Sequence, residues 1–164
     1  MAVPKLQEQT LEELSRIKVR YFLGPSQRKP HLDILIVRYT GTYPFGSAGN
    51  SDATYMTAMA KAGVSAFEPW GVIHDLSELT YEWGDMLEMV FIGPDDDAAG
   101  GELLETVFDH PPAAGQPAIV VGPKCEEAVR TLLLGENSEE PIETIGYVFR
   151  DLDKAWAFVD AQIK

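Results

Sequence analysis

The stretch Val72-Ile73-His74-Asp75-Leu76-Ser77-Glu78-Leu79-Thr80-Tyr81-Glu82-Trp83-Gly84-Asp85-Met86-Leu87 decides the reading of the fold. Its first half, from Gly71 to Leu79, is the short apolar run of a buried strand, and it runs out into a polar and aromatic segment at residues 80–84. Asp85 then stands where a helix would begin, followed by Met86, Leu87, Met89 and Val90, and Gly93-Pro94 stops it. A strand that empties directly into a helix start is the building unit of an α/β layer structure.

The same alternation extends outward in both directions. Upstream, residues 5–18 carry Leu6, Leu11, Leu14 and Ile17, with Glu12 and Glu13 early and Arg16 and Lys18 late, a charge order that predicts a short N-terminal helix. Arg20 to Leu23 reads as an opening strand closed by Gly24-Pro25, and His31 to Tyr39 as a second, buried one. Gly41 to Asn50 is a loop, and Asn50 or Ser51 can cap a helix from Asp52 to about Phe67, ended by Pro69. Downstream, Asp95-Asp96-Asp97 caps a helix over Ala98 to Phe108, and Pro111 to Pro117 is a connector. Ala118 to Val121 is a strand, Cys125 to Leu134 a helix, Ile142 to Phe149 a last strand, and Asp151 to Ile163 a closing helix capped by Asp151. The expected fold is α/β, a mixed sheet of four or five strands with helices mainly on one face. The first two strands, with no helix between them, should be antiparallel neighbours.

Composition narrows the function. At 164 residues, with 45% hydrophobic and 24% charged, the chain has the size and balance of one globular unit. A net charge of −13 opposes sequence-independent attraction to nucleic acid and to anionic lipid. Apolar runs such as Ile34 to Val37 and Ala118 to Val121 are strand-sized, far short of the roughly 20 residues that span a bilayer. One Cys and an N-terminus without an apolar signal core give a cytoplasmic expectation. The charge is unevenly divided. Residues 1–38 hold seven basic and four acidic residues, a net of +3, which leaves −16 on the rest. Residues 1–30 accordingly read as an N-terminal helix and first strand forming a basic arm, and residues 31–164 as the main domain.

No complete catalytic set emerges. Gly41 to Ser47 has the glycines of a phosphate loop and lacks its Lys, and Gly46-Ser47-Ala48-Gly49 is not the elbow that exposes a nucleophilic Ser. His31, His74 and His110 are dispersed, with no spacing that pairs imidazoles on a metal. His74 and Asp75, with Glu82 and Asp85, could converge at a strand mouth as a ligand site. The plainer reading makes His74 a satisfied strand residue and the carboxylates caps or surface groups. Cys125 sits at a helix start, which lowers a thiol pKa, but Glu126 and Glu127 oppose a thiolate and favour a structural Cys. Tyr81 and Trp83 flank Glu82 just past a strand end, a placement that protein-binding hot spots use and that simple packing also explains.

The stretch from Val72 to Leu87 resembles the central strand, loop and helix of STAS domains, the sulphate-transporter and anti-sigma-factor-antagonist family. That family shows a hydrophobic strand, then D-L-S-x-L, then a short run ending D-S-S-G-L at a helix start. Ala118 to Gly122 followed by Cys125 to Leu134, and the ending from Tyr147 to Trp156, are similar to the family's last strands and helices, so the likeness in element order covers residues 32–164. Aligned on Leu79 and Leu87, D-S-S-G becomes Trp83-Gly84-Asp85-Met86, and Asp85 replaces the Ser that a partner kinase phosphorylates in the antagonist branch. The segment from Gly93 to Gln116 is also longer than a compact STAS domain needs.

The resemblance implies a non-catalytic regulatory module that binds a protein partner through Tyr81, Glu82, Trp83, Gly84 and Asp85, without the phosphorylation switch and without a cofactor or metal. The implied partner is a protein, basic in one reading, rather than nucleic acid or membrane, and a homodimer stays open. Two other readings stand beside it. One is an acidic immunity-type protein that neutralises a basic toxin or nuclease. The other is a small-molecule or nucleotide-binding enzyme using His74, Asp75 and Asp85.

Overall fold

The computed structural model of the chain describes residues 2–94 and 115–164. Five strands form one mixed sheet: β1 (Lys18–Pro25), β2 (Asp33–Thr42), β3 (Gly71–Thr80), β4 (Ala118–Val121) and β5 (Val148–Phe149), in the spatial order β1-β2-β3-β4-β5. β1 and β2 are antiparallel, from Lys18 opposite Thr40 to Pro25 opposite Asp33, and the remaining pairs are parallel. The α/β class, the five-stranded mixed sheet and the antiparallel opening pair all agree with the sequence reading.

Among the described residues, three α-helices accompany the sheet: α1 (Asn50–Phe67), α2 (Glu126–Leu134) and α3 (Leu152–Gln162). Because the strand order runs in one direction from β2 to β5, right-handed crossovers through α1, between β2 and β3, and through α2, between β4 and β5, fall on the same face. Accordingly α1 and α2 cover the face that carries Leu35, Val37, Tyr39, Val72, Leu76, Ile119 and Val121, meeting it through Met56, Ala60, Val64 and Val129. α3 follows the last strand and returns across the other face, where Ala155 and Val159 pack on Ile34, Ile36, Ile73, Ala118 and Val120. Strict alternation along β2 and β4 sends successive residues to opposite faces.

β3 breaks that alternation once. Between the pairs Arg38 with Asp75 and Thr40 with Glu78, β2 advances two residues and β3 three. The extra residue is a β-bulge, and it brings both Leu76 and Leu79 to the α1 face. The Asp75 carboxylate holds the bulge by accepting from the Ser77 backbone N–H at 2.9 Å. The β4 terminus passes so close that a Cβ on Gly122 would lie 2.3 Å from the Ser77 carbonyl oxygen, and glycine is what allows the approach.

Several expected elements differ. In place of the helix expected over residues 5–18 there is a 3-10 turn, Leu11–Leu14, and β1 already starts at Lys18; Leu6, Leu11 and Leu14 are exposed. Their mixed spacing makes no apolar stripe, and Ile17 alone enters the core. β1 runs longer than expected, and beyond it Ser26 Oγ donates to the buried Asp160 carboxylate while Arg28 reaches the Ala161 carbonyl at 2.7 Å, so this segment meets α3. α1 grows out of a preceding 3-10 turn, Gly46–Gly49, so neither Asn50 nor Ser51 caps it, and it ends with Glu68 in the left-handed region just before Pro69. The helix expected at Asp85 is a 3-10 turn, Asp85–Val90, with Leu87 and Val90 three residues apart on its buried side. The last strand shrinks to two residues, because residues 142–144 form a 3-10 turn and Arg130 fixes the preceding loop by donating to the Ser138 and Glu140 carbonyls at 2.8 and 3.2 Å. Asp151 caps α3 as expected, accepting from the N–H groups of Asp153 and Lys154. The acidic cap at 95–97, the helix expected over 98–108 and the start of the proline connector lie outside the described residues.

Candidate functional site

The segment Tyr81-Glu82-Trp83-Gly84-Asp85 leaves the carboxyl end of β3 and is pinned by the loops on both sides. From the β2–α1 loop, Tyr43 donates its backbone N–H to the Thr80 carbonyl at 2.8 Å, and Gly46 donates to the Trp83 carbonyl at 3.0 Å. From the β4–α2 loop, the Lys124 carbonyl accepts the Tyr81 N–H at 3.1 Å. Tyr81 itself is buried. Its ring meets Tyr43 edge-on at 5.3 Å, and its hydroxyl donates to the Gly84 carbonyl at 2.7 Å, closing the loop on itself. Burial, with Tyr43 and Asp85 adding, pushes the Tyr81 phenol well above its ordinary value, so it stays a neutral donor. Gly84 has φ 151°, and a Cβ there would lie 2.8 Å from the Tyr43 ring.

With its neighbours fixed, Trp83 is left at the surface, 40% exposed. Its indole lies 5.5 Å from the ring of Phe45, which is 67% exposed. Glu82 and Asp85 point to solvent on either side. Past Trp83 opens a groove of about 730 Å³ between residues 80–83 and the α2 face that carries Glu127, Ala128 and Thr131, with Pro123 and Lys124 at one end. A smaller depression of about 270 Å³ continues it past Asp85 to Leu132, Gly135 and Glu136.

His74 and Asp75 do not join this surface. His74 is fully buried on the α1 face, where Nε2 donates to the Ile92 carbonyl at 2.7 Å and Nδ1 accepts the Tyr39 hydroxyl at 2.9 Å. A carbonyl can only accept, so the ring's proton sits on Nε2 and the phenol is the donor to Nδ1. Burial holds the Tyr39 phenol well above its ordinary value, which keeps that donor in place. Asp75, 2% exposed, faces the α3 side and pairs with the Arg38 Nε at 2.7 Å while holding the bulge. Arg38 is itself stacked on Phe22, 4.6 Å from the ring centre. The convergence of His74, Asp75, Glu82 and Asp85 considered from the sequence is therefore corrected: successive strand residues face opposite ways, and only Glu82 and Asp85 reach the loop surface.

Cys125, just before α2, donates its thiol to the Leu76 carbonyl at 3.3 Å. Burial pushes it up to about 11 against the lowering bond from Gly122, with Glu126 and Asp75 adding to the rise. Among the described residues, no group of three or more His, Cys, Asp or Glu is placed to hold a metal ion, and no helix is long and apolar enough to cross a membrane.

Phe45 and the α2 face are the parts of this surface that the sequence did not single out. Phe45 carried one legible signal, a large apolar residue between Pro44 and Gly46 in a loop, where no periodic face could bury it. Glu127, Ala128 and Thr131 come to the groove only through the pairing of β4 beside β3, which no local pattern reports. No family model, curated protein or solved structure matches the chain.

Proposed function

We propose that the chain is a STAS-like protein-interaction module that works without catalysis and engages a protein partner through the ledge formed by Phe45, Glu82, Trp83 and Asp85. The observation that carries this reading is the exposed pair of Phe45, from the β2 exit, and Trp83, from the β3 exit, on two loops joined by backbone bonds. An aromatic residue already fixed in place loses little freedom on binding, and buried Trp side chains dominate the energetics of many interfaces. Support also comes from His74 and Asp75, whose polar atoms hold the fold together rather than facing solvent. The resemblance of residues 72–87 to the STAS strand-loop-helix adds a family whose members act by binding proteins.

The test is capture of tagged full-length protein from its native cells. A Trp83→Ala, Asp85→Lys variant is compared with a Trp70→Ala control, because Trp70 is also an exposed indole and lies at the opposite end of β3. The reading expects a partner that is lost with the first variant and kept with the second. A partner retained by both, with both variants folded, removes this surface from the account.

A further inference from the structure

The groove beside Trp83 has a charge pattern that selects among partners. Glu82, Asp85, Glu127 and Glu136 line it against a single base, Lys124. Glu127 is already matched, since Arg130 Nη2 lies 2.6 Å from it. Glu82, Asp85 and Glu136 make no ion pair among the described residues, so the groove keeps an excess of negative charge. Between these acids the lining is Trp83, Tyr81, Ala128 and Leu132, with Thr80 and Thr131 as uncharged polar residues.

The shape is elongated. The two depressions share Tyr81, Trp83, Ala128 and Thr131 and run alongside α2 from its amino end to its carboxyl end. A nine-residue helix is about 14 Å long, and an extended chain covers that span with about four residues.

We propose that the groove receives a short, extended, arginine-containing segment of the partner protein, with one guanidinium laid on the open face of Trp83 between Glu82, Asp85 and Glu136. This rests on the partner-binding reading above and gives that partner a chemistry. A guanidinium is planar and weakly hydrated, so it stacks on an indole while its edge donates to carboxylates. The chain as a whole, at −13, attracts a basic segment during approach, and the unpaired acids beside Trp83 give that attraction a place.

Amide shifts of the isotope-labelled full chain, titrated with capped tetra-arginine, tetraglutamine and tetraleucine peptides, test this. Tetra-arginine is expected to shift residues 81–85 and 124–136 and to bind about tenfold more tightly than tetraglutamine. That binding should weaken as salt rises from about 25 mM to about 300 mM, since screening shortens to a few ångströms over that range. Trp83→Leu, and Glu82→Gln with Asp85→Asn, should each reduce it about tenfold, while Trp70→Leu and Glu68→Gln leave it unchanged. Shifts spread evenly over the acidic surface, equal weakening by Glu68→Gln, or tighter binding of tetraleucine or tetraglutamine overturn the proposal. A native partner that depends on Trp83 but ignores salt, with tetra-arginine inert, removes the arginine groove and leaves the partner-binding reading standing. Loss of Trp83 dependence in the native complex removes both.

Discussion

The indole of Trp83 and the phenyl ring of Phe45 stand 5.5 Å apart, centre to centre, with their planes inclined at 31°. One comes from the β3 exit and the other from the β2 exit, and the Gly46 to Trp83 backbone bond sets their separation. Two residues earlier, Tyr81 turns inward. Trp83→Ala is therefore expected to change unfolding free energy by about 1 kcal/mol or less, as for a surface site. Tyr81→Ala should cost about 3–5 kcal/mol, because it empties a buried aromatic position. Urea unfolding of the two variants checks the contrast, and equal costs would mean that Trp83 belongs to the core.

Gly84 sets the shape of the ledge. A side chain there must adopt φ near 151° and also displace the Tyr43 ring. Gly84→Ala should cost about 2 kcal/mol and shift the fluorescence of Trp83, read in a chain whose other two Trp are Phe. An alanine tolerated without either change would show that the loop is not held as described.

Asp75 serves two structural partners at once. Asp75→Ala leaves the Arg38 guanidinium and the Ser77 N–H without their acceptor and should cost about 3 kcal/mol. Asp75→Asn should cost less, because the amide oxygen still accepts from Ser77. Chemical denaturation gives both values, and an Asn variant as unstable as the Ala variant would place the whole effect in the Arg38 pair.

Cys125 gives a pH dependence with a definite sign. In the folded chain its thiol is raised from 9.0 to about 11, so between these values the unfolded chain loses a proton that the folded chain keeps. Its contribution is complete below pH 9 and fades as pH rises towards 11, by on the order of 3 kcal/mol. Cys125→Ala should flatten that part of the stability profile. At pH 8 the native thiol should also react with a disulfide reagent only at the rate of global opening, and a fast reaction would contradict its burial.

The strands were legible because their apolar runs are short and sharply bounded, by Asp33 and Arg38 around Ile34 to Val37 and by Pro117 and Gly122 around Ala118 to Val121. What the sequence hid was non-local. The bulge at Ser77 depends on Arg38 and on the approach of Gly122, three residues from three different segments. The N-terminal helix failed because its charge order suited a helix dipole while its leucines found no surface to cover. Within the candidate site, Trp83 and Asp85 were legible as a polar and aromatic strand exit. Phe45 and the α2 wall were not, because parallel pairing of β2, β3 and β4 is what places their exits side by side.

The most direct measurement of the central claim is photo-crosslinking in native cells with a photoreactive phenylalanine analogue in place of Trp83, and the same analogue in place of Trp70 as the control. Both positions are exposed, at opposite ends of β3. The account expects one discrete adduct with a single protein from position 83 and none of that species from position 70. The same adduct from both positions, or adducts from position 70 alone, would contradict a partner seated on the Trp83 ledge.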